Sequence, residues 1–337
     1  MVLKKLIGDR AFYRRVFAIS VPIIIQNAIT NFVNLLDNVM VGALGTEAMS
    51  GVSIVNQFVF IFNLLLFGAM SAAGIFTAQY HGKGDVVGVR NTFRLKMLMA
   101  VLVGILGAVL FYTLDDQLIS TFLHDGESTG NLELTLAYGK EYLAVFILGM
   151  VPFAISQAYS STLRETGDTV IPMYSSVIAL VCNCGLNYFF IFVCELGVTG
   201  AAIATVISRF AEMLFVVTVT HAKSARYKFI RGAYRSLALP RALITNVLVR
   251  GMPLIINEFM WALSVTLRNQ SYSMRGLDVV AAINISNTIS MLFNIVFMSL
   301  GSSIGIVVGN LLGAGDMEKA KDTNTKLTAF SILCCFA

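Results

Sequence analysis

Long apolar runs, each ended by a short polar segment, alternate along the whole chain. About 20 mostly apolar residues cross a bilayer as a helix, and runs of that length lie at 16–44, 51–79, 92–114, 136–163, 172–193 and 197–221. A seventh begins near Ala242 and an eighth covers about 280–312. Hydrocarbon offers the backbone no water, so runs this long are spanning helices rather than barrel strands. Turn chemistry separates them: His81-Gly-Lys-Gly-Asp85, with Asp85 placed to cap the next helix, then Arg164-Glu-Thr-Gly-Asp168 ahead of Pro172, then Gly197-Val-Thr-Gly200. Gly82-x-Gly84 is read as a turn, because no strand precedes it as a phosphate loop requires.

The first run has a second copy. Pro22 to Gly45 recurs as Pro253 to Gly276, and the same offset of 231 residues (from Pro22 to Pro253) holds without a gap to Thr92 and Thr323. Asn56/Asn287, Phe62/Phe293, Asn63/Asn294, Ser71/Ser302 and Gly74/Gly305 are identical within it. An even number of spans per unit brings both copies in from the same face, related by an axis along the membrane normal. The expectation is an all-α polytopic membrane protein of two six-helix bundles related by a parallel internal repeat. Residues 1–222 form the N-terminal bundle, 223–241 a basic cytoplasmic linker, and 242–337 the first two helices and part of the third of an incomplete second bundle. Ala337 aligns with Leu106, inside the third span of the first unit, so a C-terminally truncated fragment is expected.

Composition agrees with this class. Charged residues are 13% of the chain and mean hydropathy is +0.78, against about 25% charged in soluble domains. The net charge of +5 speaks to orientation rather than to nucleic acid. Lys4, Lys5, Arg10, Arg14 and Arg15 hold the N-terminus in the cytoplasm, and Lys83, Arg90, Arg94 and Lys96 are assigned to the next inner loop. Asp115 to Glu133 lacks Lys and Arg and is external. A multi-pass inner (plasma) membrane protein follows. The basic N-terminus precedes a run too long and too amide-rich for a cleaved signal. The five cysteines lie in apolar runs without ligand spacing and are read as packing residues.

Asn27, Asn31 or Thr30, Asn34 and Asp37 or Asn38 recur every three or four residues and form a polar stripe on one face of the first helix. A membrane-centre aspartate costs about 2.5 to 3.5 kcal/mol, so this face lines the bundle interior or a cavity. Asp37 lies roughly 12 Å from the outer turn at Gly45 and reads as an ion or proton site. Glu258, flanked by Leu254, Ile255, Ile256, Phe259 and Trp261, is a second membrane carboxylate without a neutralising neighbour in sequence. Asn183 and Asn187 share a face of the fifth helix, with Thr205 inside the sixth, and suit either an all-oxygen sodium site or interhelical hydrogen bonds. Arg209 and Glu212 are read as a structural pair, and Asn56 and Asn63 as packing residues. No Ser/His/Asp set, His-Glu-x-x-His helix or Walker loop appears, and His81, His124 and His221 fall near membrane edges, so no enzyme and no cofactor are expected.

Together, Asp37 before Val39-Met-Val-Gly42, Leu163-Arg-Glu-Thr-Gly-Asp-Thr169 with Pro172-Met173, Gly200-Ala-Ala-Ile-Ala-Thr205, Gly251-Met-Pro253 with Glu258, and the repeat resemble the MATE (multidrug and toxic compound extrusion) transporters along the whole chain. The resemblance implies a V-shaped pair of bundles around a central cavity. It implies export of organic, often cationic, small molecules in exchange for sodium ions or protons by alternating access. By motif position it assigns Asp37, Asn183, Asn187 and Thr205 to a cation site in the first bundle, a possible home for sodium, and Glu258 to the second bundle. Asn27, Asn31, Asn34 and Trp261 are expected to line the cavity. Some relatives carry an aspartate where this chain has Asn187, which leaves Asp37 as the one carboxylate of its site. The expected protein is a monomer among membrane lipids. The alternative in the same superfamily is a flippase of lipid-linked oligosaccharides or polysaccharides, whose cavity should be richer in Arg and Lys than in carboxylates.

Overall fold

The computed structural model describes residues 7–120, 131–236, 238–273 and 277–336, with no side-chain description at Asn34 or at most positions between 255 and 292. Eleven α-helices follow one another among these residues: α1 Arg10–Gly42, α2 Thr46–Lys83, α3 Val86–Thr113, α4 Asp115–Ser120, α5 Leu132–Phe146, α6 Met150–Glu165, α7 Val170–Tyr188, α8 Gly197–Ala222, α9 Arg241–Ser273, α10 Leu277–Gly313 and α11 Met317–Phe336. Seven segments among the described residues are long and apolar enough to cross a membrane. The expected fourth span is one path in two pieces, because a 3-10 turn at Ile147–Gly149 joins α5 to α6. The fifth ends in a π-helical turn, Phe189–Val193.

The helix ends follow local chemistry. Asp9 accepts from Phe12 N at 2.7 Å to start α1, and Asp85 accepts from Gly88 N at 2.8 Å to start α3, each satisfying an orphan N–H of a first turn. Gly84 closes α2 in the left-handed region at φ 76, where a side chain would be strained.

The first bundle packs α2 against α3 and α5, α3 against α6, and α8 against α5, α6 and α7, with α1 laid along α7. Its core joins Val55, Phe58, Phe62 and Leu66 of α2 to Tyr142 and Leu143 of α5 and to Ala154 and Ala158 of α6. Small residues set the close contacts: a Cβ at Gly51 would meet the backbone of Thr135 and Gly139 on α5, the arrangement that lets membrane helices approach.

Where the two copies meet, their contact is reciprocal. A Cβ at Gly82 would strike the backbone of Asn310, and one at Gly313 would strike the backbone of Gln79. Gln79 and Asn310, and Gly82 and Gly313, are the same positions of the repeat. Between them a Cβ at Gly309 would lie 2.9 Å from Cβ of Ala78, its own repeat partner. The pseudo-twofold axis therefore passes through the α2/α10 crossing. The outer contacts obey it too, since α9 packs on α2 as α1 packs on α10.

Lys96 corrects the sequence reading. It is not a residue of the inner loop but lies nearly three turns into α3, fully buried, paired with Glu165 of α6 and donating to Ser161 Oγ at 3.2 Å. The Glu165 carboxylate sits where a Cβ at Gly74 of α2 would be, and its carbonyl accepts from Asn310 Nδ2 of α10 at 3.4 Å. Next to it Arg164 reaches Gln26 of α1 at 2.9 Å. The end of α6 thus ties α1, α2, α3 and α10 together.

The basic segment after α8 folds onto the first bundle. Tyr227, Phe229, Ile230 and Ala233 are buried against Val89, Phe93, Tyr159 and Leu163. Arg94 donates to the carbonyls of Ala233 and Gly232 at 2.6 and 2.8 Å, and Arg90 to that of Phe229 at 3.2 Å. Asp168 receives the Tyr227 hydroxyl at 2.5 Å and pairs with Arg226 at 2.8 Å. Burial, with the Asp168 carboxylate beside it, pushes the Tyr227 hydroxyl above the usual tyrosine range, so it stays a donor.

Replacing Lys96 by Met strands a buried carboxylate and should lower stability by about 3 to 5 kcal/mol, whereas K96M/E165Q removes both charges and should recover most of it. Thermal unfolding in detergent reads the difference, and a single variant as stable as wild type would contradict the pairing. At the crossing, A78C/G309C should form a disulfide on mild oxidation, while cysteines at Ala78 and Ile295 should not; equal yields would dismiss the reciprocal contact.

Candidate functional site

Three helices bring four of the expected polar residues together. Asp37 of α1, Asn183 and Asn187 of α7 and Thr205 of α8 are all buried, the two asparagines completely. Asn187 Nδ2 donates to Asp37 Oδ1 at 2.5 Å and to Asn183 Oδ1 at 3.0 Å. Asn183 Nδ2 donates to Thr205 Oγ1 at 3.3 Å, and Thr205 Oγ1 stands 3.5 Å from Asp37 Oδ2. The spacing explains how this arises: Asn183 and Asn187 are one turn apart and share a face, and the π-helical turn just beyond them returns the chain so that α8 lies against α7. Single π turns of this kind are frequent at functional sites.

The cluster holds five side-chain oxygens, two from Asp37 and one each from Asn183, Asn187 and Thr205. Asn187 Oδ1 is buried with no hydrogen-bond partner. An orphan acceptor normally costs about 1 to 3 kcal/mol, and its natural complement is a cation or a proton donor. An all-oxygen set with one carboxylate suits a hard cation, so the residues present fit sodium as well as a proton.

On one side the cluster opens into a cavity of about 180 Å³. Asp37 and Thr205 line it together with Asn38, Asn56, Asn63 and Tyr142, and Arg209 and Phe153 close another wall. Asn56 Nδ2 donates to Asn38 Oδ1 at 3.4 Å. Asn56 and Asn63, expected as packing residues, therefore face a polar opening. Arg209 and Glu212 form the expected pair, Nη1 to Oε2 at 3.3 Å. Arg209 was nevertheless legible as a cavity residue, because it lies four positions after Thr205 and shares its face. Tyr142 carried no such signal, standing alone in an apolar run.

The remaining expected residues lie elsewhere. Asn27 donates to Ser299 Oγ of α10 at 2.8 Å and so faces the second copy, whereas Asn31 turns back to the Asn27 carbonyl of its own helix at 2.8 Å. Trp261 is 51% exposed on α9. The side chains of Asn34 and Glu258 lie outside the described residues.

Comparison with known proteins bears on both copies. A protein of Thermotoga maritima described as probable multidrug resistance protein NorM is 26% identical over 310 residues, which cover 90% of this chain and 64% of that protein. The chain thus spans about two thirds of that relative's length. A crystal structure of MATE in the bent conformation superposes with a TM-score of 0.84 at 22% identity, over 98% of this chain and 71% of that one. A MOP superfamily transporter from Pyrococcus furiosus, described as having a binding pocket of reverse polarity, superposes at 0.82 with 20% identity, over 98% and 71%. These likenesses establish the fold, two helix bundles of the MATE type. The MatE family profile matches residues 22–189 and 253–337, and its two matches start at Pro22 and Pro253, the prolines that begin the two copies. With three quarters of the chain matched, and in both copies, the chain belongs to the MatE family.

Proposed function

We infer that the chain is the transport unit of a secondary antiporter, exporting organic compounds in exchange for sodium ions or protons by alternating access between two bundles. The observation that carries this reading is the Asp37 cluster with its orphan Asn187 oxygen, set at the edge of a polar cavity. Asp37, Asn183, Asn187 and Thr205 would hold the coupling ion, which when bound supplies the positive charge that Asp37 otherwise lacks. A buried carboxylate held only by amides and a hydroxyl is costly in hydrocarbon. Satisfying it changes the preferred packing of α1, α7 and α8, of which α1 and α8 line the cavity. The negative charge of Asp37 draws a basic group of the cargo, so binding of cargo and of ion compete for one carboxylate. That competition is exchange.

Names of relatives such as the multidrug resistance proteins of Thermotoga maritima and Pseudomonas aeruginosa support drug-like cargo. Orientation with the N-terminus in the cytoplasm of a plasma membrane is supported by Arg15, His81, Gly167 and Ala314 sharing one end of the structure around a single opening, because basic segments collect on the inner side. The flippase reading calls for a cavity richer in Arg and Lys than in carboxylates. The described cavity has one of each, Arg209 and Asp37, which leaves the antiporter the better supported.

Asp37→Asn should abolish ion-driven efflux of a fluorescent organic cation from cells while the protein still reaches the membrane. Wild-type efflux by this variant would dismiss the reading. Asn187→Asp adds a second carboxylate to the oxygen set and should lower the sodium concentration giving half-maximal efflux by about tenfold; an unchanged sodium dependence would argue that the cluster serves protons.

A further inference from the structure

A second cavity, of about 520 Å³, lies apart from the Asp37 cluster at one end of the contact between the two copies. Two helix faces bound it. Arg15, Ala18 and Ile19 of α1, at i, i+3 and i+4, stand opposite Val307 and Leu311 of α10, with Ala314 just past the α10 end. His81, in the last turn of α2, and Gly167, in the turn between α6 and α7, complete the lining on the side of the first copy. The cavity is thus built by both copies and exists only while they are held together.

Its chemistry changes with depth. The ends of α2, α6 and α10 are polar turns after long apolar runs and mark the level of the membrane surface. His81 and Gly167 lie at that level. Val307 lies six residues inside the end of α10 at Gly313, about 9 Å at the helical rise, and Ile19 is one turn further into α1 than Arg15. The cavity is therefore basic at the rim and apolar at the floor. No carboxylate lines it. Arg15 and His81 are exposed, and neither is in an ion pair among the described residues. The acids next to it, Asp85 and Asp168, belong to a neighbouring cavity beyond His81 and Gly167. Asp85 there caps Gly88 N, and Asp168 is taken by Arg226 and Tyr227. The rim calls for an anion, and the floor for hydrocarbon.

We propose that this cavity is a phospholipid site. The headgroup phosphate of an anionic glycerophospholipid takes N–H donors of Arg15 and His81 at the rim, and the first carbons of its acyl chains lie against Ile19, Val307 and Leu311. A free phosphate compound would satisfy the rim alone and leave the apolar floor unused. Given the orientation proposed above, the lipid comes from the cytoplasmic leaflet, where anionic headgroups collect. Seated there it joins α1 to α10, and so favours the arrangement of the copies that forms its site.

Native mass spectrometry of the purified chain in detergent tests this, with the affinity of the first bound lipid as the readout. The probes are dioleoyl phosphatidylglycerol and dioleoyl phosphatidylcholine, which share their chains and phosphodiester and differ in the net charge of the head. Wild type should bind the phosphatidylglycerol about fivefold more tightly. Arg15→Gln should bring the ratio to one, whereas Arg14→Gln, which removes the same charge from a different face of α1, should leave it unchanged. Ala314→Trp fills the slot without altering charge and should abolish the preference as well, which keeps the result readable if Arg15→Gln folds poorly. Glycerol 3-phosphate in large excess should leave the bound lipid in place; displacement would assign the rim to a free phosphate compound and overturn the lipid reading. A wild type without the preference, a preference that survives Arg15→Gln or Ala314→Trp, or one that Arg14→Gln also removes would overturn the proposal. Binding in detergent has no sides and needs no ion gradient, so this proposal and the orientation and coupling proposed above fail separately.

Discussion

A charge inside the hydrocarbon layer must be met by partners, at a cost of about 2.5 to 3.5 kcal/mol if it is not, and the first bundle is arranged around that demand. Lys96 meets Glu165, Arg209 meets Glu212, and Arg164 meets Gln26. Each contact joins different helices or braces one helix face, so the charges dictate how α1, α3, α6 and α8 sit. Asp37 is the exception. It has amides and a hydroxyl but no cation in contact, and beside it Asn187 presents an oxygen with no partner. The carboxylate held by neutral groups alone is the one that borders the cavity.

The repeat supplies the second constraint. Duplication along a membrane-normal axis makes α2 and α10 equivalent, and equivalent helices can cross closely only where both are small at the same positions. Gly82 and Gly313 satisfy this for each other's backbones, and Ala78 faces Gly309 on the axis. Asn310, at the same crossing, also reaches the end of α6, where Lys96 and Glu165 are paired. The contact between copies and the charge pairing of the first bundle therefore meet at one place. A relative motion of the copies has to act through it.

Much of this was legible in the sequence, and the parts that were not have a common cause. Asp37, Asn183, Asn187 and Thr205 stood out because polar residues at helical spacing are rare in apolar runs, and α1, α7 and α8 do bring them together. The cap at Asp85 was equally plain. Lys96 was misplaced because a basic residue near Arg90 and Arg94 looks like part of an inner loop, while the decisive fact, Glu165 on a helix 69 positions later, is tertiary. Arg209 was seen as half of a helical pair, which it is, but a pair has two sides, and only packing against Phe153 and Asp37's cavity decides which way the guanidinium points. Asn56 and Asn63 show the same limit: spacing gives a face, and neighbouring helices decide what that face meets.

The central claim is that the Asp37 cluster couples an ion to cargo movement. The most direct measurement is cargo flux in proteoliposomes under an imposed sodium gradient and, separately, under an imposed pH gradient at zero membrane potential. The account predicts that at least one gradient drives cargo against its own concentration, and that reversing the gradient reverses the flux. Downhill flux of the same rate with either gradient, with both or with neither would contradict it.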